Sequence, residues 1–273
     1  MSALKPVTSD FVLADIDPNE TPGMTDKKAA EKELEANRKT LDGLQERLFA
    51  ESKFGGTRSV LLVLQAMDTA GKGGIVRHVV GGIDPQGVHI HAFKVPTDEE
   101  KKHDFLWRVR KELPVPGSIG VFDRSHYEEV LIHRVRAFST PETIEKNYGV
   151  INDFEAEVVA SGTTIIKVML HISSDEQKAR LQERLDREDK HWKYNPGDVD
   201  ERLLWPAYQE AYQIALSRTT TEDAPWYVVP ANHKWYARWA VQQLLLEAMT
   251  KLDPQYPAAD FDVDAEKKRL AAT

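Results

Sequence analysis

The run Gln65-Ala66-Met67-Asp68-Thr69-Ala70-Gly71-Lys72-Gly73-Gly74 combines small residues, one acid and one lysine. It resembles the phosphate-loop pattern G-x-x-x-x-G-K-[ST]. Gly71 and Lys72 match, Ala66 stands for the first glycine, and Gly73 stands for the Ser/Thr. Small residues let the backbone curl so that the N–H groups from Thr69 through Ala70, Gly71, Lys72, Gly73 and Gly74 face a phosphate. A helix starting here adds about half a positive charge at its N-terminus, and Lys72 adds a full one. The lost hydroxyl after Lys72 removes the loop's usual magnesium ligand. Asp68, inside the loop itself, can replace it: an aspartate beside bound phosphate would repel it unless a divalent cation lay between them.

A second acid lies in Ser118-Ile119-Gly120-Val121-Phe122-Asp123-Arg124-Ser125-His126-Tyr127-Glu128. A short apolar strand ends in Asp123, at the carboxyl edge of a sheet, where ligands bind. Asp123 could share the magnesium with Asp68 or orient an attacking phosphate. Arg124 could fork a phosphate bidentately. The competing account is a helix N-cap aspartate with a surface arginine. His126 is expected to be structural, because transfer between phosphate oxygens needs little general-base help.

Arg180, Arg184 and Arg187 fall at i, i+4 and i+7, on one helical face, and Lys190 and Lys193 follow around Trp192 and Tyr194. This is either a solvated amphipathic helix, with Glu183, Asp186, Glu188 and Asp189 interleaved, or a lid that closes over a polyanion. Arg77 on the loop helix and Lys94 before Pro96-Thr97 add phosphate-binding candidates. Thr250-Lys251-Leu252-Asp253 looks like a guanine-reading motif, but it follows a helix where that motif follows a strand.

Strands are expected at 58–67, 88–95, 118–122, 163–172 and 226–229. Helices are expected at 27–53, 73–82, 98–112, 126–136, 140–161, 174–188, 198–221 and 233–252. The non-alternating run Val60-Leu61-Leu62-Val63-Leu64 fits a central strand covered on both faces. Five strands separated by helices predict an α/β fold, a parallel sheet with helices on both sides. Leu34, Leu41 and Leu48, with Leu44 beside them, predict that the first helix packs on its own domain. Residues 1–26 read as an arm, 27–252 as the domain with a lid near 180–200, and 253–273 as a loose tail.

The chain has 273 residues, no cysteine and a net charge of −8. Cysteine ligation and Cys nucleophiles are thereby excluded. A broadly basic nucleic-acid surface is disfavoured. No apolar run approaches the 20 or so residues of a membrane span, and no secretory signal is visible, so a cytoplasmic protein is expected.

At these residues the sequence resembles the family-2 polyphosphate kinases. The resemblance is carried by the Gln65–Gly74 loop, by Asp123-Arg124-Ser125-His126-Tyr127-Glu128, and by Arg184-Leu185-Asp186-Arg187-Glu188-Asp189-Lys190-His191-Trp192-Lys193. The late strand Pro225-Trp226-Tyr227-Val228-Val229-Pro230-Ala231-Asn232 is similar too, so the likeness spans about residues 30–250. The resemblance implies a three-layer P-loop kinase-like fold similar to thymidylate kinase, with a helical lid. It implies reversible phosphoryl transfer between inorganic polyphosphate and AMP, ADP or ATP, with guanine nucleotides as further candidates. The implied cofactor is Mg²⁺, with Mn²⁺ as a substitute. Asp68 and Asp123 would be the metal-binding pair. Lys72 would hold phosphate, Arg124 and Glu128 would meet the nucleotide, and the lid cations would meet the reacting phosphates. A homo-oligomer, dimer or tetramer, would be expected.

The pattern is most like the subgroup acting on both nucleoside mono- and diphosphates. Members of that subgroup often carry Asn at the place of Asp123 and Asp at that of Gly73, so the AMP-versus-ADP preference stays open. An ATP-dependent nucleotide or nucleoside kinase and a non-catalytic nucleotide sensor are the alternatives.

Overall fold

The computed structural model describes residues 3–273. Five parallel strands form one sheet: β1 (Ser59–Ala66), β2 (Val88–Ala92), β3 (Ile119–Asp123), β4 (Thr163–His171) and β5 (Trp226–Pro230), in the order β2-β3-β1-β4-β5. The helices are α1 (Lys27–Lys53), α2 (Lys72–His78), α3 (Phe105–Lys111), α4 (Ile132–Val135), α5 (Pro141–Ala160), α6 (Ser174–Asp186), α7 (Gly197–Arg202), α8 (Trp205–Thr219), α9 (Lys234–Leu252) and α10 (Val263–Ala271).

All of β1 is buried, as a central strand covered on both faces must be. Its alternation assigns the layers. Val60, Leu62 and Leu64 point into a core with α1, α2 and α9. Leu61 and Val63 point into a second core with α3, α5 and α8. On α1, Leu41, Leu44 and Leu48 are buried in the first of these cores, and Leu34 is partly buried. The helix therefore packs on its own domain.

Four predicted helices are interrupted, the first being 73–82, where α2 ends at His78 and a 3₁₀ turn follows at Val80–Gly82. Residues 98–112 split because the Asp104 side chain accepts the Leu106 N–H and caps a new helix, α3. Residues 126–136 divide into a short 3₁₀ turn and α4. Residues 198–221 break between α7 and α8, where Pro206 has no N–H to donate and starts a helix well. The tail differs from expectation. Gln255 N–H donates to Glu51 and the Tyr256 hydroxyl to Glu46, at 2.8 and 2.9 Å, and α10 forms beyond them without burying a residue. The arm lies on the domain: Val7 and Leu13 are buried, and Val7 N–H donates to Trp226 O at 2.7 Å.

His171 ends β4 inside the protein, and burial lowers its pKa from 6.5 to about 4, against a backbone hydrogen bond at Ile16. Between those values the unfolded chain binds a proton that the folded protein refuses. The contribution is complete above pH 6.5 and falls away as pH drops toward 4, by about 3 kcal/mol. Urea unfolding of the wild type and His171→Asn from pH 4 to 7 should show a steeper stability loss in the wild type. Parallel curves would contradict it.

Candidate active site

Between β1 and α2 the chain turns sharply. Thr69 and Gly71 take φ of +66° and +121°. A side chain at Gly71 would be strained, which explains glycine there. The Ala70 and Gly74 amides turn inward to Met67 O and Gly71 O. The Lys72 and Gly73 amides occupy the first turn of α2, where helix geometry supplies no i−4 acceptor, so they are the loop's outward donors. Lys72 folds back over the loop, its Nζ 3.4 Å from Ala66 O and 3.9 Å from Asp123 Oδ1. Thr69 Oγ1 is buried without a partner among the described residues.

The loop is braced from outside. Arg180 Nη1 donates to Thr69 O and Ala70 O (3.0 and 2.8 Å). Its Nη2 donates to Ala231 O and Asn232 O (2.6 and 3.0 Å), and its Nε to Glu176 (2.6 Å). All five guanidinium N–H groups are engaged within the protein. Arg180 is therefore not a free lid cation, as expected from the helical face; it is a buried strut tying the phosphate loop to the end of β5. Gln177 adds a bond to Asp68 O at 3.2 Å.

Asp123 sits opposite Leu64 in the β1–β3 register. Arg124 comes next, at φ +64°, with its N–H on Leu64 O at 3.0 Å. This unusual backbone at the strand end is of the kind found at functional sites, and it sends the guanidinium to Asp68 Oδ1 at 3.1 Å. Burial opposes the charge of Arg124, yet the carboxylates of Glu128, Asp68 and Asp123 outweigh it and hold the group above its ordinary pKa. Burial raises Glu128, against the pull of Arg124 and Lys72. With its nitrogen turned to that carboxylate, the Gln65 amide donates to Glu128 Oε1 and meets Ser125 Oγ, both at 3.1 Å. Behind them, His126 Nε2 lies 3.2 Å from Glu155 Oε1, and Glu155 Oε2 receives Lys167 Nζ at 2.5 Å. His126 is thus part of a buried scaffold.

Two hollows meet at this point. The larger, about 550 Å³, is lined by the whole loop from Asp68 to Gly74, by Asp123 and Arg124, and by the cations Arg77, Lys94, Arg184, Lys190 and Lys193. His78, Lys234 and Arg238 also line it, and the sequence reading missed them. They sit on helices whose patterns look like ordinary amphipathic surface. The smaller hollow, about 220 Å³, is lined by Asp68, Arg124 and Glu128, with Met67, Leu131, Tyr208 and Tyr212 as its walls. Asp198 also reaches it, paired with Arg184 at 3.2 Å. Asp68 and Arg124 are common to both. Arg187 lies outside, paired with Asp189 and Glu183 (2.9 and 3.1 Å).

The oxygens on offer fit a hard divalent cation, which takes carboxylate and hydroxyl oxygen. Asp68 and Asp123 face the same cleft, and the Thr69 hydroxyl lacks a partner.

The fold and the loop define a P-loop kinase-like phosphotransferase. A sequence model of the family described as "Polyphosphate kinase 2 (PPK2)" matches residues 24–257, and the chain belongs to that family. It is 46% identical over 248 residues to an AMP/ADP-polyphosphate phosphotransferase of Meiothermus ruber, covering 90% of this chain and 91% of that one. An ADP-polyphosphate phosphotransferase of Rhodopseudomonas palustris is 44% identical over 229 residues, covering 80% and 78%. The crystal structure of polyphosphate kinase 2 from Arthrobacter aurescens TC1 superposes with a TM-score of 0.96 at 57% identity, covering 98% and 95%.

Removing the strut tests the architecture of the loop. Arg180→Ala strands four carbonyls that it now satisfies and should cost about 3 kcal/mol or more in denaturant unfolding. Arg180→Lys should recover only part, because an ammonium cannot reproduce the planar fork.

Proposed function

We propose that this enzyme transfers the terminal phosphoryl group of inorganic polyphosphate to AMP and ADP, reversibly and with Mg²⁺, Mn²⁺ serving as a substitute. The observation that carries the reading is the junction of the two hollows at Asp68 and Arg124. One hollow is cationic, suited to a string of phosphates. The other has aromatic and aliphatic walls, suited to a nucleoside, adenine or guanine.

In this reading the donor's terminal phosphate lies on the outward amides of the loop, beside Lys72. Arg77, Lys94, Arg184, Lys190 and Lys193 hold the phosphates behind it. Arg124 orients the acceptor phosphate from the boundary, with Glu128 beside it. An acceptor oxygen attacks in line; one P–O bond forms to the nucleotide while the bridging P–O bond breaks, leaving the chain one phosphate shorter. Positioning and charge stabilisation then carry most of the acceleration. Asp68 and Asp123 would hold the divalent ion, which supplies neutralising charge to the transferring group. The segment near 180–200 acts as the lid. The reading carries with it a cytoplasmic homo-oligomer, a dimer or tetramer.

Purified protein with Mg²⁺, polyphosphate and either AMP or ADP should form ADP and ATP, resolved by ion-exchange chromatography. No phosphorylated product from either acceptor would contradict the proposal. Phosphorylation of AMP or a nucleoside by ATP alone, with polyphosphate inert, would favour an ATP-dependent kinase. Tight nucleotide binding without turnover would favour a sensor.

A further inference from the structure

Outside the two hollows, the edge strand β2 carries a cluster that the phosphotransfer chemistry does not use. His89 and His91 are two residues apart, so both side chains leave the same face of the strand. Glu112 arrives at the same place as the C-terminal cap of α3. Its Oε2 lies 2.9 Å from His89 Nε2 and 2.9 Å from His91 Nδ1. The three ligand atoms all fall within 4.8 Å of one another. Among the described residues no lysine or arginine pairs with Glu112, so its charge is directed at the two imidazoles alone. The two arginines on α3 are turned elsewhere: Arg108 lies over Phe93 at 5.2 Å and faces Glu100 at 3.7 Å, and Arg110 pairs with Glu157 at 2.8 Å.

We propose that His89, His91 and Glu112 form a binding site for a zinc-class divalent cation, open to water at its remaining position. Two imidazoles and one carboxylate suit zinc and its neighbours in the transition series, whereas Mg²⁺ prefers an all-oxygen shell. Zinc holds such ligands at about 2.0–2.2 Å, which sets tetrahedral neighbours about 3.3 Å apart. The 2.9 Å separations need only a small opening. His89 is half exposed, its side chain 53% accessible, so solvent rather than packed protein borders it on that side. The bound ion would staple the edge of the sheet to the end of α3. Past the end of β2 the chain reaches Lys94, three residues beyond His91 and at most about 10 Å along it, where it lines the phosphate cleft. The site is thus placed to steady one wall of the cleft without touching the reacting groups.

Titration calorimetry tests this with ZnCl₂ alone, in a buffer holding millimolar Mg²⁺ and no phosphate, polyphosphate or nucleotide. The wild type should bind one Zn²⁺, and its thermal midpoint should rise. His89→Ala/His91→Ala should weaken that binding by at least about tenfold and abolish the thermal shift, with Mg²⁺-dependent turnover retained. Glu112→Gln, which keeps the shape of the side chain, should weaken it as well and stands in if the double variant does not fold. Absence of Zn²⁺ binding by the wild type would overturn the proposal, as would equal binding by both variants, which would place the ion elsewhere.

Discussion

Two carboxylates cannot face a chain of phosphates unless positive charge separates them, and the rest of this structure answers that constraint. Asp68 and Asp123 both open on the cleft, each touched by a cation, Arg124 on one and Lys72 on the other. The alternation of acid and base offsets the negative charge of both side chains beside a cleft lined with cations. It also leaves oxygen ligands ready for a divalent ion. Around them a surplus of lysine and arginine lines the cleft, although the chain as a whole is acidic. Local arrangement, not net charge, decides what binds, because screening confines surface fields to about 8 Å at physiological salt.

The fold exists to hold those two acids in register. β1 and β3 are adjacent, and their parallel pairing sets Asp123 beside Leu64, just before the phosphate loop. The strained turn at Arg124 persists because the segment from Ser125 to Tyr127 is tightly packed. Tyr127 is fully buried, and its hydroxyl joins the Glu155–Lys167 pair at 2.7 and 3.0 Å. Arg180 fixes the loop from the other flank. Preorganisation of this kind spares the reaction the reorganisation that water would require.

The sheet and the placement of Asp68, Asp123 and Arg124 at its edge were legible in the sequence because both are local signals. A continuous apolar run before a glycine turn, and an apolar strand ending in Asp-Arg, state their positions in the fold within ten residues. What was not legible depends on distance in the chain. Arg180 lies on the same helical stripe as Arg184, and spacing could not tell that it points at carbonyls over a hundred residues away in sequence. Lys234 and Arg238 reach the cleft only because α9 packs beside α2, a tertiary fact without a motif. The helix breaks at Asp104 and Pro206 carried recognisable cap signals that the broader periodicity overrode. The His89–His91–Glu112 cluster is likewise invisible until α3 returns to the edge strand.

The central claim is that Asp68 and Asp123 act on one shared ion. The direct measurement is the Mg²⁺ dependence of polyphosphate-driven turnover in Asp68→Asn, Asp123→Asn and the double variant. Groups that hold one ion act as a unit, so their losses should not add. Each single change should lower kcat/KM by about 10²-fold or more and demand more Mg²⁺, and the double variant should be little worse than the poorer single. Losses that multiply, or an unchanged Mg²⁺ requirement in either single variant, would contradict the account.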